Sequence, residues 1–93
     1  MNEQEAGEIL RRHLDRYRGQ SYANLVRLIQ EQDTSEVAGA SGTSYQIEIQ
    51  AVWDHKPQGN IRVLGSIDDG GWRAYMPLCD SFIMAPDGSF VGE

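Results

Sequence analysis

With two His, one Cys and 14 acidic side chains in 93 residues, the chain has few candidate centres for chemistry. Asp68 and Asp69 offer adjacent carboxylates to a divalent cation. Such an ion needs several more oxygens, and no Asp-x-Asp-x-Asp-Gly loop with a closing Glu is present. Neighbouring strand residues also point to opposite faces. Followed by Gly70-Gly71, the pair reads as turn chemistry. His55 beside Asp54 could serve as a general base, but no nucleophile stands at a motif spacing, and a solvated loop histidine is the better account. His13 falls on the apolar stripe of a helix, as a histidine at the core margin does. Cys79-Asp80-Ser81 matches no nucleophile signature, because a reactive thiol needs a base or cation beside it. Its expected role is that of a small buried or half-buried hydrophobe at a strand end. Zinc spacings, phosphate loops and G-x-S-x-G elbows are all missing from the sequence. Gly70-Gly71 leads into a strand, whereas a phosphate cradle requires a helix N-terminus. No catalytic, cofactor-binding or metal-ligating residue is therefore assigned, and the expectation leans away from an enzyme.

Composition narrows the classes further. The chain is 40% apolar and 24% charged, which excludes wholesale disorder and collagen-like repeats. Its length suits one domain spanning 1–93, since domains mostly run from ~50 to ~250 residues. Eight basic against 14 acidic residues give a formal charge of −6, which argues against nucleic acid or an anionic membrane as partner. A single Cys cannot close an internal disulfide. No stretch approaches the ~18 apolar residues of a membrane span, and the acidic start Met1-Asn2-Glu3-Gln4-Glu5 lacks the features of a signal peptide. The expected address is the cytoplasm.

The elements that must position any site follow from periodicity. Ala6, Ile9, Leu10, His13, Leu14 and Tyr17 recur at helical spacing, predicting a helix over 2–18. Asn2 caps it, Glu5 can return the capping-box bond, and Gly19 is expected to stop it in a left-handed conformation. Glu3, Glu5 and Glu8 near the start, with Arg11, Arg12, Arg16 and Arg18 near the end, suit the macrodipole. Tyr22, Leu25, Val26, Leu28 and Ile29 share one face of a second helix over 22–30, where a strand is the competing assignment.

From Thr34 the period becomes two. Tyr45, Ile47, Ile49, Ala51 and Trp53 alternate with Gln46, Glu48, Gln50, Val52 and Asp54 in a strand over 43–54, buried on one face. A shorter strand, 34–39, precedes it through a loop with Gly42 left-handed, which sets Val37 beside Tyr45. A third strand covers 61–67. Asp68-Asp69-Gly70-Gly71 reads as a hairpin turn into a strand over 72–78, pairing Ile67 with Trp72, Gly65 with Ala74, Val63 with Met76 and Ile61 with Leu78. Gly65 then leaves a dip that seats the first helix. A last strand, 82–85, completes the sheet as an edge strand or, through the turn Pro86-Asp87-Gly88-Ser89 to Phe90 and Val91, as a short hairpin. The expected fold class is α+β: two N-terminal helices packed on one face of a four- to five-stranded antiparallel meander sheet.

The segment Ile67-Asp68-Asp69-Gly70-Gly71-Trp72-Arg73-Ala74, with Asp80-Ser81-Phe82-Ile83 after it, resembles a group of small uncharacterised bacterial proteins. The resemblance implies a bacterial origin and a small free-standing protein, and carries no activity.

Two surfaces remain as candidates. The outer sheet face should present Val52, Arg62, Leu64, Arg73 and Tyr75, with Leu64 directly opposite Tyr75. Arg and Tyr are types enriched at contact hot spots, so the leading expectation is a non-catalytic module that binds another protein or a second copy of itself through this face. The alternative is a small-molecule-binding or catalytic pocket between the first helix and the sheet, ringed by His13, Tyr17, Trp53 and Trp72.

Overall fold

The computed structural model describes residues 1–71 and 76–93. Helix α1 spans Glu3–Arg18, started by Asn2, whose Oδ1 accepts the Glu5 N–H at 3.0 Å. Ala6, Leu10 and Leu14 on its stripe are fully buried. Its end differs from expectation. Gly19 is right-handed (φ −80°, ψ −5°), and the Gly19 and Gln20 amides donate to the Arg16 and Tyr17 carbonyls at 3.2 and 3.0 Å. The last turn tightens into i→i−3 bonds, which satisfy the free carbonyls without a left-handed residue.

Ser21 caps helix α2, Tyr22–Val26, and a 3-10 turn over Arg27–Ile29 follows. The expected helix over 22–30 is thus helical in two pieces. The tighter pitch brings residues three apart into line, which lets Leu25 and Leu28 enter the core together, both at most 1% exposed.

Four strands follow: β1 Asp33–Ala38, β2 Ser44–Trp53, β3 Ile61–Asp68 and β4 Leu78–Met84. They form one antiparallel sheet in the order β1-β2-β3-β4. Along β2 the alternation is strict, with Tyr45, Ile47, Ile49 and Ala51 buried and the residues between them exposed. The β1–β2 turn has Gly42 at φ +88°, and Val37 lies opposite Tyr45. Glu5 latches this turn instead of returning to Asn2 as a capping box. Its carboxylate accepts from Ser41 Oγ (2.7 Å), the Ser41 amide (3.2 Å) and Tyr45 OH (2.9 Å). The Ser41 hydroxyl foremost, then that of Tyr45, hold the Glu5 carboxyl below its ordinary range.

The β3 pairing is the main correction. Ile67 lies opposite Leu78, Gly65 opposite Asp80, Val63 opposite Phe82 and Ile61 opposite Met84, six residues beyond the expected register. Of the strand expected over 72–78, residues 72–75 lie outside the described residues, and Met76 and Pro77 precede β4. What was expected as a separate strand over 82–85 is mainly the second half of β4. An even displacement keeps the alternation in phase, so apolar residues stand opposite Ile61, Val63 and Ile67 in both registers, and only Gly65 changes to a charged partner, the exposed Asp80. The registers also differ at Pro77, which has no N–H for a ladder and in the expected register would sit inside a strand. Asp68 and Asp69 still turn the chain, their carboxylates accepting from the Gly70 and Gly71 amides at 2.8 and 3.4 Å.

Buried residues from α1, α2, the 3-10 turn and the sheet form one core. Gly65 shows how closely α1 sits: a Cβ there would lie 2.9 Å from Leu10 Cδ1, 3.1 Å from Leu14 Cδ2 and 3.2 Å from Ile49 Cδ1. The C-terminal segment folds back on β4 through a Met84–Phe90 bridge and a Val91 N–H bond to the Ile83 carbonyl. There the Arg18 guanidinium lies over the Phe82 and Phe90 rings, 4.9 and 5.4 Å from their centroids, and pairs with Glu93. No helix among the described residues is long and apolar enough to cross a membrane.

Candidate functional site

An antiparallel strand bonds to its neighbour through alternate residues, so an edge strand turns its remaining N–H and C=O groups outward. Strand β1 is such an edge. The Gly39 N–H donates to the Thr43 carbonyl at 2.8 Å. Continuing that alternation through the β1–β2 register, Val37, Ser35 and Asp33 bond to β2. The backbone groups of Thr34, Glu36 and Ala38 then face away from the sheet, with no backbone partner among the described residues. At the opposite edge, residues 89–91 cover the end of β4.

Helix α1 sits mainly over β3 and β4, and three of its side chains cross to β1 and the turn that follows it. Glu5 reaches Ser41 at one end, His13 Nε2 stands 3.5 Å from Ser35 Oγ in the middle, and Tyr17 OH donates to Asp33 Oδ2 at 2.7 Å at the other end. Between helix and edge run two adjoining cavities of about 420 Å³ each. One is bounded by residues 37–40 and the other by residues 32–35, and His13 and Arg16 line both. Together they make a groove along the length of β1.

The helix side carries both signs, Glu5 and Glu8 toward its start and Arg12 and Arg16 further on, and Arg12 has no ion pair among the described residues. On the other face of the sheet, Glu36 stands opposite Gln46 and Thr34 opposite Glu48. Asp33 is engaged at the groove end, where Arg27 donates to both carboxylate oxygens at 3.2 Å. The Arg27 bonds, then that of Tyr17, hold its carboxyl below the ordinary range. Burial and the adjacent Asp33 push the Tyr17 phenol up to about 12.

The arrangement does not activate a nucleophile. Arg16 Nη2 lies 3.1 Å from His13 Nδ1, and because a guanidinium only donates, Nδ1 is the acceptor. The His13 Nε2–Ser35 Oγ separation of 3.5 Å is at the outer limit of a hydrogen bond. Burial first, and Arg16 second, keep the His13 pKa low. Cys79 is exposed, opposite Ser66 on the outer sheet face, which corrects its expected burial, and its Sγ lies 3.6 Å from the Pro77 carbonyl. Among the described residues no group of His, Cys, Asp and Glu is arranged to hold a metal ion.

Of the residues singled out in the sequence, Val52, Arg62 and Leu64 share the outer sheet face. Val52 is 43% exposed on the outer sheet face. Arg62, beside it across the strands, bonds Asp54 at 2.8 and 3.1 Å and is thereby engaged. Leu64 is half-buried opposite Gln50 and Ser81, which corrects its expected pairing with Tyr75. Arg73, Tyr75 and Trp72 lie outside the described residues. His13 and Tyr17 of the expected pocket do line the groove, whereas Trp53, half-buried at the end of β2, does not. The seat at Gly65 is filled by Leu10 and Leu14. Arg12, Arg16, Thr34, Ser35 and Glu36 were missed as site residues. The arginines read as macrodipole charges, but Thr34-Ser35-Glu36, polar on both faces, carries the signature of an edge strand.

No family model matches the chain, and neither a curated protein nor a solved structure does.

Proposed function

We propose that the protein is a non-catalytic binding module that takes up an extended segment of another protein in the groove between α1 and β1. The observation that carries this reading is the outward row of backbone groups at Thr34, Glu36 and Ala38 along a groove with two cavities of about 420 Å³. Such an edge is a ready template for strand addition, in which main-chain bonds supply affinity and flanking side chains select the sequence. The reading takes both helices to lie on one face of the sheet, so that a docked segment becomes a fifth strand beside α1. A compact ligand would fit the same volume, but a regular row of donors and acceptors suits a chain better than a small molecule. Pairing with a second copy is disfavoured, because antiparallel β1 strands centred on Glu36 would oppose like charges.

Selection of peptides from a displayed random library tests the proposal. Glu36→Pro removes one outward donor and leaves the bonds to β2 in place, so it should weaken the selected peptides by about tenfold or more. Selection of no peptide, or equal binding by the folded proline variant, would refute it.

A further inference from the structure

Resting on that reading, we infer that the segment the groove selects alternates in charge, with acidic side chains toward α1 and basic side chains toward the outer face. Side chains of an added strand point alternately to the two faces of the sheet. Those on the helix side meet Arg12, His13 and Arg16, together with the apolar Ile9 and Val37. Acidic and β-branched residues complement that wall. Those on the other side come down beside Thr34 and Glu36, with Glu48 one strand further in, where Lys or Arg is complementary and an acid would be repelled. Glu36 accepts a bond from Gln46 Nε2 at 2.8 Å, which fixes its carboxylate on that face without neutralising it. Arg12 is exposed and has no ion pair among the described residues, so a docked carboxylate displaces no partner from it. Near Glu5 and Glu8 the helix wall turns acidic, which confines the acidic preference to the stretch facing Arg12 and Arg16. A net charge of −6 alone would favour any basic peptide; Arg12 and Arg16 on one side of the added strand and Glu36 on the other require a pattern.

Two synthetic peptides of identical composition separate pattern from charge: Ac-EKVKEKVKE-NH2, which alternates, and Ac-EEEVVKKKK-NH2, which does not. The proposal predicts at least about tenfold tighter binding of the alternating peptide in fluorescence anisotropy titrations, falling with salt. It also predicts loss of that preference in the Arg12→Glu/Arg16→Glu double variant, with circular dichroism reporting its fold. Equal affinity for the two peptides would overturn the charge pattern and leave the groove reading standing. Binding of neither, with peptides still selected from the random library, would have the same meaning. Binding of neither together with an empty library selection would overturn the groove reading itself.

Discussion

Replacing Gly65 with Ala tests how α1 is seated on the sheet. The new Cβ would lie 2.9 Å from Leu10 Cδ1, with Leu14 and Ile49 atoms at 3.1 and 3.2 Å, whereas unstrained carbon contacts fall at ~3.5–4.0 Å. Leu10, Leu14 and Ile49 are each at most 2% exposed, so none can swing into solvent. Overpacking of this kind costs about 1–3 kcal/mol, partly offset by the ~0.4–1 kcal/mol gained when the unfolded chain loses a glycine. The net expectation is a destabilisation of about 1–2 kcal/mol. Urea unfolding followed by circular dichroism should show the midpoint falling by roughly 1 M with an unchanged slope. Each kcal/mol should lower Tm by about 4–8 °C. Leu10→Ala alone should cost ~2–5 kcal/mol, but on that background Gly65→Ala should cost less than half as much, because the clashing methyl group is gone. A Gly65→Ala protein as stable as the parent, or an equal loss in both backgrounds, would refute the close seating of α1 over Gly65.

Further outcomes follow from single contacts. Gly19→Ala should leave stability unchanged or raise it by up to ~1 kcal/mol in the same urea assay, since Gly19 has φ −80° and a Cβ there meets Arg16 O at 3.5 Å; a loss above ~1 kcal/mol would restore the left-handed cap. In an NMR titration His13 should protonate below its ordinary range, and Arg16→Ala should raise its midpoint by removing one of the two lowering influences; no change on substitution would remove Arg16 from the account. Asp33 has a depressed folded-state pKa, so its contribution to stability is present above the ordinary aspartate range and is lost as pH falls through the depressed value. Asp33→Asn should therefore flatten that part of the acid limb of stability against pH, and an unchanged limb would contradict the bonds from Arg27 and Tyr17. Tyr17 behaves in the opposite sense: its contribution is intact below pH ~10 and is lost toward about 12, so Tyr17→Phe should lose the corresponding slope in alkali.

Much of the fold was legible because burial imposes a period. The stripe through Ala6, Leu10 and Leu14 announces α1, and the alternation from Tyr45 to Ala51 announces β2. The partner of β3 was not legible, because two registers of the same parity both set apolar residues opposite Ile61, Val63 and Ile67, and Asp-Gly is a turn signal in either. The local devices at Gly19 and Glu5 were also misassigned. A glycine after a basic last turn is compatible with a left-handed stop and with a 3-10 tightening, and a glutamate three residues after a cap can turn back or reach forward to a distant loop. The groove was legible only in its halves. His13 and Tyr17 appeared as a polar margin on a helix and Thr34-Ser35-Glu36 as a weak strand, and nothing local says that an edge strand and a helix run beside each other with space between them.

Backbone amide exchange measured by NMR tests the free edge of β1 most directly. In the protein alone, the amides of Thr34, Glu36 and Ala38 should exchange rapidly while those of Ser35 and Val37 are protected, and a saturating library-selected peptide should slow the first three by about tenfold or more. Protection of Thr34, Glu36 and Ala38 in the free protein, or no change in their exchange when the peptide is bound, would contradict the account.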